Sequence, residues 1–475
     1  MLVKGIHRLR EFKRSVGVVG LAWSGKTVFL TSLIDHLKNH EPEKLRLEAR
    51  RRTWLGRRMF GQEHTVLIRR FEELPVRGPF QQFPYKRFRD TLAQERPQWP
   101  EKTRDVYEYA CRFERSDQRR AVRLSFLDFP GERLADVSMG GSYEQWSDLI
   151  LEEFDAQHGY RELAAEFLEL QDGRDLTADT VTDAYRLTLA RFVREYKPLI
   201  SPSTFLLDSS GGQAQHKPAE QLAAERIAGI AADRQFAPLS KDARSNNAKL
   251  AEVFSAHYQE YRAAVPDKLL RRLARCHRLV VLIDVTGTLA AGVGRYNDTQ
   301  AILESLLGLC RRKPSLLNKA GRLLASVILP EAWRPGGISR IAFVASKADM
   351  ARYDQTDRLV GLLRRMVEKK VRDYDMRYDF FACSAVTSTR PAGTELAGHL
   401  TYDTDGNLMP PRGREDAVDT FYVSSPPEAW PDRWSEGDYT FPQVYPAMSP
   451  KKDQPPDQEG LGNILDFLME EDYTE

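Results

Sequence analysis

The chain has 475 residues, with 70 Lys and Arg against 68 Asp and Glu and a formal net charge of +2, which argues against a polyanion-seeking surface and a specific nucleic-acid partner. No stretch approaches the roughly 20 apolar residues that span a bilayer, and Met1 to Arg14 lacks the apolar core of a secretion signal. Cys111, Cys276, Cys310 and Cys383 show no metal or disulfide spacing and read as reduced, mostly buried thiols of a cytoplasmic protein; the length calls for about two domains, since single cores rarely pass about 250–300 residues.

In chain order, Met1 to Arg14 sets Leu2, Ile6 and Leu9 on one side and Lys4, Arg8 and Lys13 elsewhere, which reads as a helix docked onto the body, the alternative being membrane binding. Next comes the apolar run Val16 to Val19, then GLAWSGKT, Gly20 to Thr27, then a helical stretch from Val28 to Leu37. A strand that delivers a Gly-containing turn into a helix is the setting of a phosphate-binding loop. Consecutive amides curl around the phosphates with the positive helix end behind them. Gly20, Ala22, Trp23, Ser24, Gly25 and Val28 are the expected backbone contacts. Lys26 would reach the β- and γ-phosphates, and the Thr27 hydroxyl would ligate Mg²⁺.

Between His40 and Pro97 the chain is Arg-rich, with Arg50-Arg51-Arg52 and Arg57-Arg58 among Trp54, Leu55, Met59 and Phe60. It reads as a solvated helix face pairing with acidic residues, the alternative being a basic amphipathic helix for an acidic surface. Thr103, just before the period-two run Val106 to Phe113, fits a hydroxyl that closes over Mg²⁺. Arg96 and Arg104 flank it; either could supply charge to a transition state, and solvated surface is the plainer reading.

A second strand, Ala121 to Leu127, forms a hairpin with the first around Arg115 to Arg120 and ends in Asp128-Phe129-Pro130-Gly131-Glu132. Asp128 would hold Mg²⁺ through water, and Gly131 would offer its amide to a γ-phosphate. Glu132 would place the attacking water or act as general base, with its own negative charge slowing hydrolysis. Helical periodicity then fills Tyr143 to Phe154, Thr177 to Tyr196 and Ala248 to Val265, pointing to a helical domain inserted over 135–277.

The nucleotide-binding part would resume at Leu279 to Asp284. Ile341 to Ala345 follows, leading into Ser346-Lys347-Ala348-Asp349, and then Phe380 to Ala385. The Asp349 carboxylate can accept from both N1–H and the exocyclic amine of guanine, a donor pair that adenine lacks. Lys347 would lay its stem along the base face, and the Ser384 and Ala385 backbone would contact guanine O6. After Ala385 the chain carries Trp430, Trp434, Tyr439, Phe441 and Tyr445. It reads as an irregular segment wrapped on the body, or an aromatic groove, ending in a short helix from Ile464 to Met469 and an acidic tail.

GLAWSGKT, DFPGE, SKAD and CSA together resemble the successive elements of a translation-factor-type or Ras-like GTPase. The pairing of GLAWSGKTVFLTSLIDHL with DFPGERLAD and a late WSEGDYTFP resembles the YcjX-like family of bacterial GTPases over nearly the whole chain. That resemblance implies an α/β P-loop NTPase with a mostly parallel sheet, a large helical insertion, GTP or GDP as ligand and Mg²⁺ as cofactor. It also implies a role in envelope stress, at the cytoplasmic side or peripheral to the inner membrane, often beside an integral membrane partner. Two departures stand out: Ser346 where Asn or Thr is usual, and Glu132 where Gln is common. An ATPase, or an adapter that holds nucleotide without turnover, are the competing readings.

Overall fold

The computed structural model describes residues 11–48, 65–76, 80–100, 106–194, 218–224, 234–310, 337–448 and 451–470, apart from positions 22, 119, 132–133, 135, 137–138, 140, 157, 373, 375, 404–406, 414 and 452. The chain forms two compact units. One comprises 1–129, 274–290 and 310–475, the other 130–273 and 291–309.

The first unit is built on a mixed sheet. Its strands are β1 (Phe12–Gly20), β2 (Ile68–Leu74), β3 (Gln81–Gln82), β4 (Tyr107–Arg115), β5 (Ala121–Asp128), β6 (Arg278–Ile283), β7 (Arg340–Ser346) and β8 (Arg377–Cys383). Among the described residues the order is β2-β4-β5-β1-β6-β7-β8, with β3 beside β4. β5, β1, β6, β7 and β8 run parallel, and β4 is antiparallel to both β5 and β2. The wholly buried runs RLVVLI and RIAFVAS explain why β6 and β7 are interior parallel strands, since both faces of such a strand are covered. Helix α1 (Lys26–Lys38) buries Phe29, Leu30, Leu33, Ile34 and Leu37 in this unit's core. This is an α/β fold of the P-loop NTPase kind, with the strand order reversing about β1, the place where folds of this class bind ligands at their strand C-termini.

Several expectations are corrected here. Phe12 to Arg14 are not helical: they pair with Val122, Arg123 and Leu124, and the neighbouring strand outweighs their local amphipathic pattern. The remainder of the N-terminal helix, 1–10, lies outside the described residues, as do Arg50 to Phe60. The Arg-rich region contributes β2 and helix α2 (Tyr85–Ala93), neither legible beforehand. β2 is a charged edge strand, IRRFEEL, with no core-facing alternation to reveal it.

The second unit is helical: α3 (Tyr143–Ala156), α4 (His158–Leu170), α5 (Ala178–Arg194), α6 (Ala219–Ala224), α7 (Lys241–Asn246), α8 (Ala248–Ala264) and α9 (Pro266–Leu273). Between β6 and the return of the chain come α10 (Val285–Ala290), in the sheet unit, and α11 (Gly292–Cys310). Residues 291–309 were expected with the nucleotide-binding part because they follow β6; they belong instead to the helical unit, where Asp298 on α11 accepts the Tyr160 hydroxyl of α4. Its core is aromatic, with Trp146, Phe154, Phe167, Tyr185, Phe236 and Tyr258 all buried.

After helix α12 (Thr356–Val371) and β8, the segment to 448 is mostly irregular, carrying a small antiparallel sheet of β9 (Arg390–Ala392), β10 (Glu395–Gly398) and β11 (Asp419–Phe421). Its aromatics anchor it: Trp430 Nε1 donates to the Leu362 carbonyl and Trp434 Nε1 to that of Leu289. The last helix, α13 (Leu461–Met469), packs in the core, and buried arginines at the N-terminal edge of the sheet hold its end. Arg278 donates to the Leu468 and Glu470 carbonyls, and Arg340 pairs with the Glu470 carboxylate at 2.6 Å. Cations at a helix C-terminus meet its negative dipole end.

Candidate nucleotide site

Strand register places the site. Val18 stands beside Asp128, Gly20 beside Leu282, Leu282 beside Val344, and Ser346 beside Cys383. The loop after β1, Asp128 and the segments that follow β7 and β8 therefore leave the sheet at one edge. Gly20 has no room for a side chain: a Cβ there would lie 2.5 Å from the Leu282 carbonyl oxygen and 2.4 Å from Ser24 Oγ. The loop then turns through a Ser24 amide bond to the Leu21 carbonyl (3.2 Å), with Trp23 (φ 71°) and Gly25 (φ 80°) both left-handed. Ala22 lies outside the described residues.

Gly25 is the N-cap of α1 and brings no side-chain acceptor; the first turn holds no acid. A helix start with neither a capping side chain nor a first-turn acid is one whose positive end favours an anion. Lys26 is buried, its Nζ donating to the Leu21 carbonyl at 3.0 Å, poised beside the loop that would carry phosphate. The Ser24 and Ser346 hydroxyls are buried, and neither has a hydrogen-bond partner among the described residues. Orphaned buried polar groups of this sort are what a ligand or its ordered water satisfies. Val28 packs against a small cluster of Leu92, Ala93, Val386 and Met448.

Asp128 is fully buried at the end of β5, and the Phe129 amide donates to the Val18 carbonyl at 3.2 Å. Thr27 opens the first turn of α1. A hydroxyl and a carboxylate suit a hard cation that takes its other ligands from phosphate and water. Among the described residues there is no group of three or more His, Cys, Asp or Glu that could hold a metal ion. Gly131 accepts the Leu134 amide in a tight turn. Thr103, Arg104 and Glu132 lie outside the described residues, and Arg96 is exposed.

Beyond β7, Lys347 adopts a left-handed conformation (φ 56°) and caps a single 3₁₀ turn, Ala348–Met350. Asp349 Oδ2 accepts the Ser388 amide at 2.8 Å, and its carbonyl accepts the Thr389 hydroxyl. Burial pushes the Asp349 carboxyl upward, with the Ser388 amide opposing. The Ser384 backbone is committed elsewhere: its amide donates to the Glu459 carbonyl at 3.0 Å and its carbonyl accepts the Glu459 amide at 2.8 Å. The Ser384 amide and carbonyl are thus both used within the chain, while its buried hydroxyl has no hydrogen-bond partner among the described residues. The Ala385 carbonyl accepts the Ser32 hydroxyl of α1, tying this loop to the helix of the phosphate loop.

Two residues that contact these segments were not among the expected ones. Asp284, one residue past β6, pairs with Lys347 at 2.7 Å; its position at the end of an apolar strand, like that of Asp128, was the available signal. Glu459 meets Ser384 through two backbone hydrogen bonds, for which no residue pattern exists.

Comparison with known proteins agrees with this architecture. The sequence matches the YcjX-like family (DUF463) over residues 15–473. It is 24% identical over 477 aligned positions to a protein of Escherichia coli (strain K12) named Ras-like GTPase YcjX, covering 96% of this chain and 94% of that one. A protein of the same name from Shewanella oneidensis is 23% identical over 459 positions, covering 92% and 89% respectively. Matched along nearly its whole length, the chain belongs to the YcjX-like family.

Proposed function

We propose that the protein binds guanosine nucleotides and hydrolyses GTP slowly to GDP and phosphate, acting as a nucleotide-dependent switch. The observation that carries this reading is the uncapped start of α1 behind a loop with a buried lysine, set at the same sheet edge as Asp349. The names of the two relatives support it. Lys26 would offset charge on the γ-phosphoryl group as water attacks in line, while the loop amides hold the phosphates in place. A magnesium ion held by Thr27 and Asp128, with Thr103 closing over it, would add Lewis-acid neutralisation. Glu132 would orient the water.

The switch aspect rests on the chain after Gly131. Three side chains on one face of α8 grip it: Tyr258 donates to the Met139 carbonyl, Tyr261 to the Asp136 carboxylate at 2.6 Å, and Arg262 to the Gly141 carbonyl. Displacement of the sensor turn would be passed to α8 through these bonds. A role in envelope stress beside an inner-membrane partner is what the family resemblance adds. Among the described residues no helix is long and apolar enough to cross a membrane.

The test is competition of GTP and ATP for the wild type, Asp349→Asn and Lys26→Ala. We expect guanine preference in the wild type, its loss in Asp349→Asn, and little binding of either in Lys26→Ala. Equal affinity for both purines in the wild type would refute guanine recognition. Guanosine nucleotide bound with no phosphate release, partner proteins included, would leave a binding adapter instead.

A further inference from the structure

Asp284 carries two separable duties on its two carboxylate oxygens. Oδ1 accepts the Gly287 amide at 2.7 Å and the Thr286 hydroxyl at 3.0 Å, closing the first turn of α10. Oδ2 accepts the Lys347 ammonium at 2.7 Å. Gly287 is required for this arrangement, since a Cβ there would stand 2.7 Å from Asp284 Oδ2. The Asp284 side chain is 16% exposed and that of Lys347 38%. The charged tip of Lys347 is thus tied down although its side chain as a whole stays partly exposed. A lysine in the left-handed region is disfavoured by its Cβ, so something must hold it there.

We propose that Asp284 is a positioning residue that sets Lys347 for base binding, its ion pair holding the aliphatic stem in place as a platform for the face of a purine. The inference rests on the nucleotide-binding reading given above. Burial works against charge on Asp284, but Lys347, the Gly287 amide and the Thr286 hydroxyl outweigh it and hold the carboxyl below the usual range. The carboxylate is therefore present at neutral pH to do this. Without it the long side chain regains its rotamer freedom, and nucleotide binding must order it afresh.

Asparagine separates the two duties, because it caps a helix as well as aspartate does but carries no charge. A fluorescent guanosine diphosphate is titrated with Mg²⁺ into the wild type, Asp284→Asn, Lys347→Ala, the double variant and Lys26→Ala, with melting temperatures recorded. We expect Asp284→Asn to melt like the wild type yet bind roughly tenfold more weakly, the scale of one charged hydrogen bond. The double variant should bind no more weakly than Lys347→Ala alone, because Asp284 acts only through Lys347. Wild-type affinity in Asp284→Asn, or losses that add in the double variant, would overturn the proposal. Those results leave the parent reading intact so long as the wild type binds and Lys26→Ala does not. A wild type that binds no guanosine nucleotide brings down both.

Discussion

Gly20→Ala tests the phosphate loop without touching a charged group. The new methyl would sit 2.5 Å from the Leu282 carbonyl oxygen and 3.0 Å from Leu282 Cβ, both fixed in β6 directly beside Gly20. Ser24 Oγ, at 2.4 Å, can rotate aside; the strand cannot. Relief of the contact requires the end of β1 and the loop to move off β6 by roughly 0.5–1 Å, with a cost of about 1–3 kcal/mol for such overpacking. The functional loss should exceed the structural one. Amides that converge on a phosphate lose their shared focus when displaced, and a shift of about 1 Å can cost on the order of a hundredfold. Gly17→Ala in the same strand is the control. Its methyl meets side-chain atoms alone among its nearest neighbours, Leu279 Cδ1 at 3.1 Å, Cys276 Sγ at 3.2 Å and Phe129 Cε2 at 3.4 Å, which can give way. Titration with fluorescent guanosine diphosphate, with melting curves alongside, should show binding nearly abolished in Gly20→Ala and close to wild type in Gly17→Ala. Equal affinity in the two variants would refute the argument that close approach of the loop to β6 shapes the site.

Two further outcomes concern α1, which carries the loop. Arg89→Ala should destabilise the sheet unit by about 3–5 kcal/mol, because it strands Asp35, a wholly buried carboxylate now paired at 3.1 Å and also held by Tyr85 and Asn39; urea unfolding within about 1 kcal/mol of wild type would contradict this. His36 is fully buried, and burial pushes its imidazole from an ordinary 6.5 down to about 4, with Lys44 and His40 adding like charge and the Pro456 carbonyl opposing. The unfolded chain therefore takes up the proton first: stability is intact above 6.5 and is lost as pH falls toward 4. Between about pH 7 and pH 5 this group should account for about 2 kcal/mol, visible as a pH slope in the wild type that His36→Leu lacks. A slope unchanged by that substitution would show that the ring is reached by solvent.

Much of the site was legible in residue order because its parts are local. A strand, a glycine turn and a helix in succession make the phosphate loop from Val16 to Leu37, and an aspartate closing an apolar strand marks Asp128. The continuous apolar runs of β6 and β7 and the three- and four-residue spacing of α3, α5 and α8 are likewise carried by neighbours in sequence. Contacts between residues remote along the chain leave no such trace. Nothing near Phe12 says that Val122 will pair with it and draw Lys13 and Arg14 into a strand. Nor does anything near Lys347 point to Asp284, or anything near Ser384 to the Glu459 backbone. Residue order alone thus determined the strand–turn–helix and the strand ends from which the proposed nucleotide site is built. Which side chains hold those segments in position was decided only by folding, because hydrogen bonds and ion pairs depend on distance in space, and the sheet register sets that distance.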